Sequence, residues 1–116
     1  MQQKFKLKII NRFDQEKLIA NNINLKQTCI LNALFVMINH NTDQDGHEYR
    51  KTLIIDGVTY YDFNQWDIIN AIPLCGYNSK RQLQRDLAPL IQKGFIIKYP
   101  INTKFLVRLN LEPLYP

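Results

Sequence analysis

The sequence predicts a single α+β domain of four helices, one β-hairpin and a C-terminal two-stranded ribbon. Three observations carry that expectation. The chain has 116 residues, close to the commonest domain size of about 100–150 residues. Several polar residues stand where helix N-caps belong, each ahead of an apolar stretch. Asp56-Gly57 separates two β-favouring runs, and FIIKY and KFLVRLN follow as a second pair of such runs. Hydrophobic residues make up 46% and charged residues 22%, which fits a packed core and excludes a disordered chain. Gly 4 and Pro 5 are too few for a linker or a collagenous repeat.

Residues 4–10, KFKLKII, alternate Lys with apolar side chains and read as a short half-exposed strand, so 1–12 forms a basic N-terminal strand or arm. Asp14 caps a helix at about 14–20. Asn24, with Gln27 three residues on, opens a helix over 25–39. That helix carries Leu31, Leu34, Phe35 and Ile38 on one face and Ala33, Val36 and Met37 on another, so it is buried on more than one side. Residues 40–50 are polar and form a loop. TLIIDGVTYY gives a hairpin at 52–61, because Asp-Gly suits a type I′ turn. Asn64 opens a helix over 64–72 whose apolar face includes Trp66, placed in the core, and Pro73 stops it. Ser79-Lys-Arg-Gln82 matches a capping box and starts a helix over 79–93 that ends at Gly94. Pro89 inside it is expected to kink it or loosen the bond to the Arg85 carbonyl. Two strands follow within 95–110, and the tail 111–116 lies against the surface or frays.

The charge is uneven. Lys+Arg is 15 and Asp+Glu is 10, a net +5. Between Ser79 and Arg108 there are seven basic residues and one acid, so this stretch carries +6 and the remainder −1. Such asymmetry points to an anionic partner for one surface. On a helical wheel Leu83, Leu87, Leu90 and Ile91 fall within an arc of about 100°. Arg81, Gln82 and Arg85 fall opposite, with Ser79 and Lys80 at the N-terminal tip. Arg bonds a guanine edge in two places and Gln an adenine edge, so these side chains suit the major groove. A solvated amphipathic face would carry the same residue types.

A helix, a short turn containing Gly, and a second capped helix make the helix-turn-helix arrangement, and the ribbon after it adds a wing. Four stretches carry a family resemblance: INLKQTCILNALFVMI; IDGVTYYDF leading into NQWDII and AIPL; SKRQLQRDLAPLIQKGFI; and KFLVRLN. In these residues, about 24–110, the chain resembles the winged helix-turn-helix domains of phage and plasmid replication proteins, of the replisome-organiser or initiator type. It departs from them in Pro89 and in lacking a second domain. The resemblance implies one winged-helix domain over 1–116. It also implies a DNA-binding protein of a mobile genetic element, acting in replication initiation or transcriptional control. Helix 79–93 would enter the major groove with the wing on the backbone. The expected DNA contacts are Ser79, Lys80, Arg81, Gln82, Arg85, Lys98, Lys104 and Arg108. The alternative is a small protein-interaction module or inhibitor that binds a host protein, a replication protein or a nucleoprotein complex.

Other chemistries find little support. Asn41-Thr-Asp43-Gln-Asp45-Gly46 opens like a calcium loop, but Thr52 stands where a bidentate Glu belongs. His40 and His47 flank that loop without a third ligand at a recognised spacing, and no metal or cofactor is expected. No nucleophile elbow, Walker loop or H-E-x-x-H occurs, so no catalytic residues and no enzyme are expected. No apolar run reaches the ~18–20 residues of a membrane span, and MQQKFKLKII lacks the features of a signal peptide. A cytoplasmic location follows, with Cys29 and Cys75 as reduced thiols. The apolar faces of helix 25–39 and the edge of KFKLKII predict a homodimer built on the N-terminal half.

Overall fold

The computed structural model describes residues 5–101 and 103–116. Its elements run β1 (Ile9–Ile10), β2 (Phe13–Asp14), α1 (Gln15–Ala20), α2 (Leu25–Asn39), β3 (Thr52–Ile55), β4 (Val58–Phe63), α3 (Gln65–Ala71), α4 (Lys80–Gln92), β5 (Ile96–Lys98) and β6 (Phe105–Leu109). Short 3₁₀ turns at Pro73–Cys75 and Glu112–Leu114 complete it. The fold is α+β: four helices, a two-stranded sheet β1-β2 and a four-stranded antiparallel sheet in the order β3-β4-β6-β5.

Local chemistry sets most boundaries. Asp14 accepts from the Lys17 amide and starts α1. Asn24 and Gln27 form a complete capping box at α2. Asp56 and Gly57 both take positive φ, 51° and 77°, as the type I′ turn between β3 and β4 requires. Asn64 caps α3, and Ser79 caps α4 through the Gln82 amide. Gly94, at φ 84°, ends α4: its amide reaches the Ile91 carbonyl while the Phe95 amide reaches Leu90. That crossed pair is a Schellman motif, and it turns the chain directly into β5.

The core lies between the helices and one face of the larger sheet. Leu83, Leu87 and Leu90 of α4 join Ile30, Leu31 and Leu34 of α2, Ile68 of α3, and Ile96 and Val107 of the sheet in one buried cluster. Pairing of β4 with β6 puts Tyr61 opposite Val107 and Phe63 opposite Phe105, which seats the C-terminal ribbon beside the early hairpin.

Several expectations change. The strand at 4–10 does not form over Phe5–Leu7, and Lys4 lies outside the described residues. Only Ile9–Ile10 pair, with Phe13–Asp14, around a tight turn at Asn11 (φ 49°) and Arg12 (φ 74°). A positive φ costs a non-glycine roughly 1–2 kcal/mol. Contacts with α2 offset it: Arg12 Nε donates to Asn32 Oδ1 at 2.8 Å and its guanidinium lies 3.9 Å from the Phe35 ring centre. Trp66 is not core but 42% exposed. At about 100° per residue Ile68, Ile69 and Ile72 share an arc, and Trp66 in the first turn falls off its edge. The hairpin runs on to Phe63, because β6 pairs with the end of β4. Helix α4 runs to Gln92 with Pro89 inside it, as expected, and Pro89 has no N–H to give the Arg85 carbonyl. Of the two outcomes expected for the tail, packing rather than fraying holds: Leu111 and Leu114 are buried, Tyr115 stacks near Phe13, and Lys17 Nζ donates to the Tyr115 carbonyl.

Helix α2 packs against this chain on two sides, while its Leu25 and Val36 stay exposed. Asn11 and Arg12 cover Thr28, Asn32 and Phe35, while Gln27 Nε2 donates to the Asp86 carbonyl of α4. Arg50 folds over the end of α2, with its guanidinium on Met37 and 4.9 Å from the Phe63 ring.

Two substitutions probe this architecture. Leu87→Ala leaves a hole beneath α4 and is expected to lower unfolding free energy by about 2–5 kcal/mol in urea titration. Gly94→Ala meets no atom but must hold a left-handed φ, so a loss of about 1–2 kcal/mol is expected in the same measurement.

Candidate nucleic-acid interface

Helix α4 is buried along one stripe only. Lys80, Arg81, Gln84, Arg85, Ala88 and Gln92 stand exposed along the rest, forming a ridge. Concave surfaces flank the ridge on both sides. The larger, of roughly 740 Å³, lies between α4 and the C-terminal ribbon. Phe63, Leu87, Ile91 and Phe105 line its floor, and Lys51, Lys80, Lys98 and Lys104 contribute to its walls. The smaller, of roughly 360 Å³, lies towards the start of α2, where Lys26 and Arg85 meet Tyr77, Gln82 and Asp86.

Strand register decides which ribbon cations belong to this surface. Residues directly opposite in antiparallel strands share a face. Lys98 pairs with Val107, a core-facing residue, so it points to the helix side and into the larger groove. Its Nζ donates to the Ile101 carbonyl at 3.4 Å. Arg108 pairs with Ile97 on the opposite face, away from α4. There its guanidinium lies 6.0 Å from the Tyr60 ring centre, and Tyr60 in turn meets Tyr99 edge-on. Lys104, just before β6, lies 3.9 Å from Asp62, whose strand partner Leu106 shares the face of Arg108, so it borders the groove at its rim; this partly exposed pair holds the side chain only weakly.

The expected set therefore divides. Lys80, Lys98 and Lys104 share the larger groove, Gln82 and Arg85 border the smaller, and Arg81 stands on the ridge. Ser79 serves the helix cap. Gln82 is partly committed as well, since its Oε1 accepts from the Asn78 amide. Arg108 falls outside the arrangement. No protein-family model, curated protein or solved structure matches this chain.

Sequence reasoning missed Lys26, Lys51, Gln84 and Gln65. Gln84 Nε2 donates to Gln65 Oε1 at 3.0 Å, which ties the ridge to α3. Lys51 reaches the groove only because β4 pairs with β6, a contact between distant parts of the chain. Lys26 would have been visible as a cation in the first turn of a capped helix, but nothing local places it beside α4.

The ridge is held from below. Tyr77 is buried, and its hydroxyl donates to Asp86 Oδ2 at 2.5 Å. Burial and the Asp86 carboxylate hold the Tyr77 phenol well above its ordinary range. The Asp43-Asp45-His47 cluster lies on the loop 40–50. Asp43 Oδ1 accepts the amides of Asp45 and His47, so the turn itself accounts for the cluster's geometry.

The Tyr77 phenol gives a pH test. Its folded pKa lies above the unfolded one, so its contribution is present below the ordinary phenol value of about 10 and is lost as pH rises past it. Stability measured by urea unfolding is expected to fall more steeply above that pH in the native chain than in Tyr77→Phe. At neutral pH the variant is expected to lose about 1–2 kcal/mol.

Proposed function

We propose that this chain is a winged helix-turn-helix DNA-binding protein, with α4 as the recognition helix and β5-β6 as the wing. The order of α2, the hairpin, α3, the short turn, α4 and the ribbon supports that reading. The observation that carries it is the exposed α4 ridge standing between two cation-bordered concavities. A helix of about 10–12 Å diameter fits a major groove about 12 Å wide. With the ridge inserted, one phosphate strand would run past Lys80, Lys98 and Lys104 and the other past Lys26. Arg81, Arg85 and Gln84 would face base edges. The chain acts by binding, without catalysis, and its resemblance to phage and plasmid replication proteins favours replication initiation or transcriptional control in a mobile element. Among the described residues no helix is long and apolar enough to cross a membrane.

Binding to a selected duplex, measured across a salt series, tests this. Arg81→Ala and Arg85→Ala are each expected to weaken specific binding by about 1–3 kcal/mol while leaving the fold intact. Lys104→Ala is expected to weaken binding to all sequences alike and to reduce the salt slope by about one. Arg108→Gln, on the far face of the sheet, is expected to leave the slope unchanged. Unchanged affinity in the Arg81/Arg85 double variant at matched salt would overturn groove insertion.

A further inference from the structure

The larger sheet ends in β3 on one side and β5 on the other. An edge strand offers unpaired N–H and C=O groups, which sheets commonly guard with charge, proline or a bulge. Strand β5 is guarded: it contains Lys98, and Pro100 follows close behind. Strand β3 reads Thr52-Leu-Ile-Ile55, uncharged and without proline, in an unbroken register with β4. The Asp62 amide donates to the Lys51 carbonyl at 3.0 Å. Bonding direction alternates along an antiparallel strand. Leu53 and Ile55 therefore also turn to β4, while Thr52 and Ile54 direct their amides and carbonyls out of the sheet. Among the described residues no strand meets them. Apolar side chains surround this edge: Leu53 is 42% exposed, Ile54 68% and Val58 37%.

We propose that the β3 edge is the docking surface for a second copy of this chain. The two β3 strands pair antiparallel about a two-fold axis at Leu53. Thr52 then faces the partner's Ile54, and every outward amide and carbonyl of these residues gains a bond. An axis at Ile54 would instead set Thr52 against the partner's Asp56, which has left the strand at φ 51°. Leu53 meets its own counterpart as a non-bonded pair, with Cα atoms about 4.5 Å apart. Exposed Lys51 and Asp56 flank β3 at opposite ends, so Lys51 comes beside the partner's Asp56. The occupant is a second copy because hydrogen bonding, apolar contact and charge are each complementary to themselves here. An antiparallel pair places its two-fold axis perpendicular to the sheet. One sheet thus continues through both copies, with both helix layers, and both α4 helices, on the same side. The contact lies on β3 and not on α2, the helix from which the sequence predicts a dimer. It stands whatever partner α4 meets.

Size-exclusion chromatography with light scattering, on the full chain at rising micromolar concentration, tests this. The expected mass approaches twice 13.8 kDa. Ile54→Pro removes an outward N–H without touching a β3–β4 hydrogen bond, and edge strands tolerate proline at such positions. It is expected to raise the dimer dissociation constant at least about tenfold. Ile54→Val keeps the N–H and is expected to leave that constant within about threefold. Leu53→Lys sets two ammonium groups face to face at the axis and is expected to weaken the dimer at least about tenfold, with an unchanged circular dichroism spectrum. Leu53→Cys is expected to join two copies through position 53 in a thiol–disulfide buffer, as a non-reducing peptide map would show. A mass of 13.8 kDa at every concentration would overturn the proposal. So would open-ended assemblies, or a dimer that Val36→Lys on α2 dissociates and Ile54→Pro and Leu53→Lys do not.

Discussion

Everything on the proposed binding surface depends on α4 being buried along one stripe and no further. Leu83, Leu87 and Leu90 sink fully into the cluster formed with α2, α3 and the sheet. The opposite side, with its two arginines, stands exposed. Burial of three leucines fixes the helix in position and in rotation about its own axis, so the polar residues gain a defined direction at no further cost. The Schellman turn at Gly94 extends the same constraint to the ribbon. Because Phe95 and Ile96 must enter the core immediately after the helix, β5 starts beside α4, and Lys98 arrives at the groove wall.

The second support is the underside of α4. Asp86 is held by the Tyr77 hydroxyl through its carboxylate and by Gln27 through its carbonyl. The helix is thereby joined to the preceding turn and to α2 by polar contacts that leucine packing alone would not specify. Packing and hydrogen bonding therefore converge on the few residues that orient α4.

Features set by local chemistry could be read from the sequence. Asn24 with Gln27, Asp56-Gly57, Ser79 and Gly94 each announce an element boundary through a backbone need that few residue types meet. The stripe of α4 was readable for the same reason. Features set by distant contacts were not. The Asn11-Arg12 turn places two non-glycine residues at positive φ, which becomes affordable only once α2 offers Asn32 and Phe35. Trp66 looks like core by composition, yet helix phase leaves it at the surface. Arg108 and Lys98 are equally basic, and only the strand register sends one away from α4 and the other towards it.

The central claim is that the α4 ridge and the ribbon together face nucleic acid. Amide chemical shifts of the ¹⁵N-labelled chain, followed while a short random duplex is added at low salt, test it most directly. The account predicts that Arg81, Gln84, Arg85 and Ala88 shift most, with Lys98 and Lys104 moving alongside them, and that the changes fade as salt rises. Largest shifts at Tyr60, Ile97 and Tyr99 on the outer face of the sheet, or along α1, would contradict it, as would a spectrum that the duplex leaves unchanged.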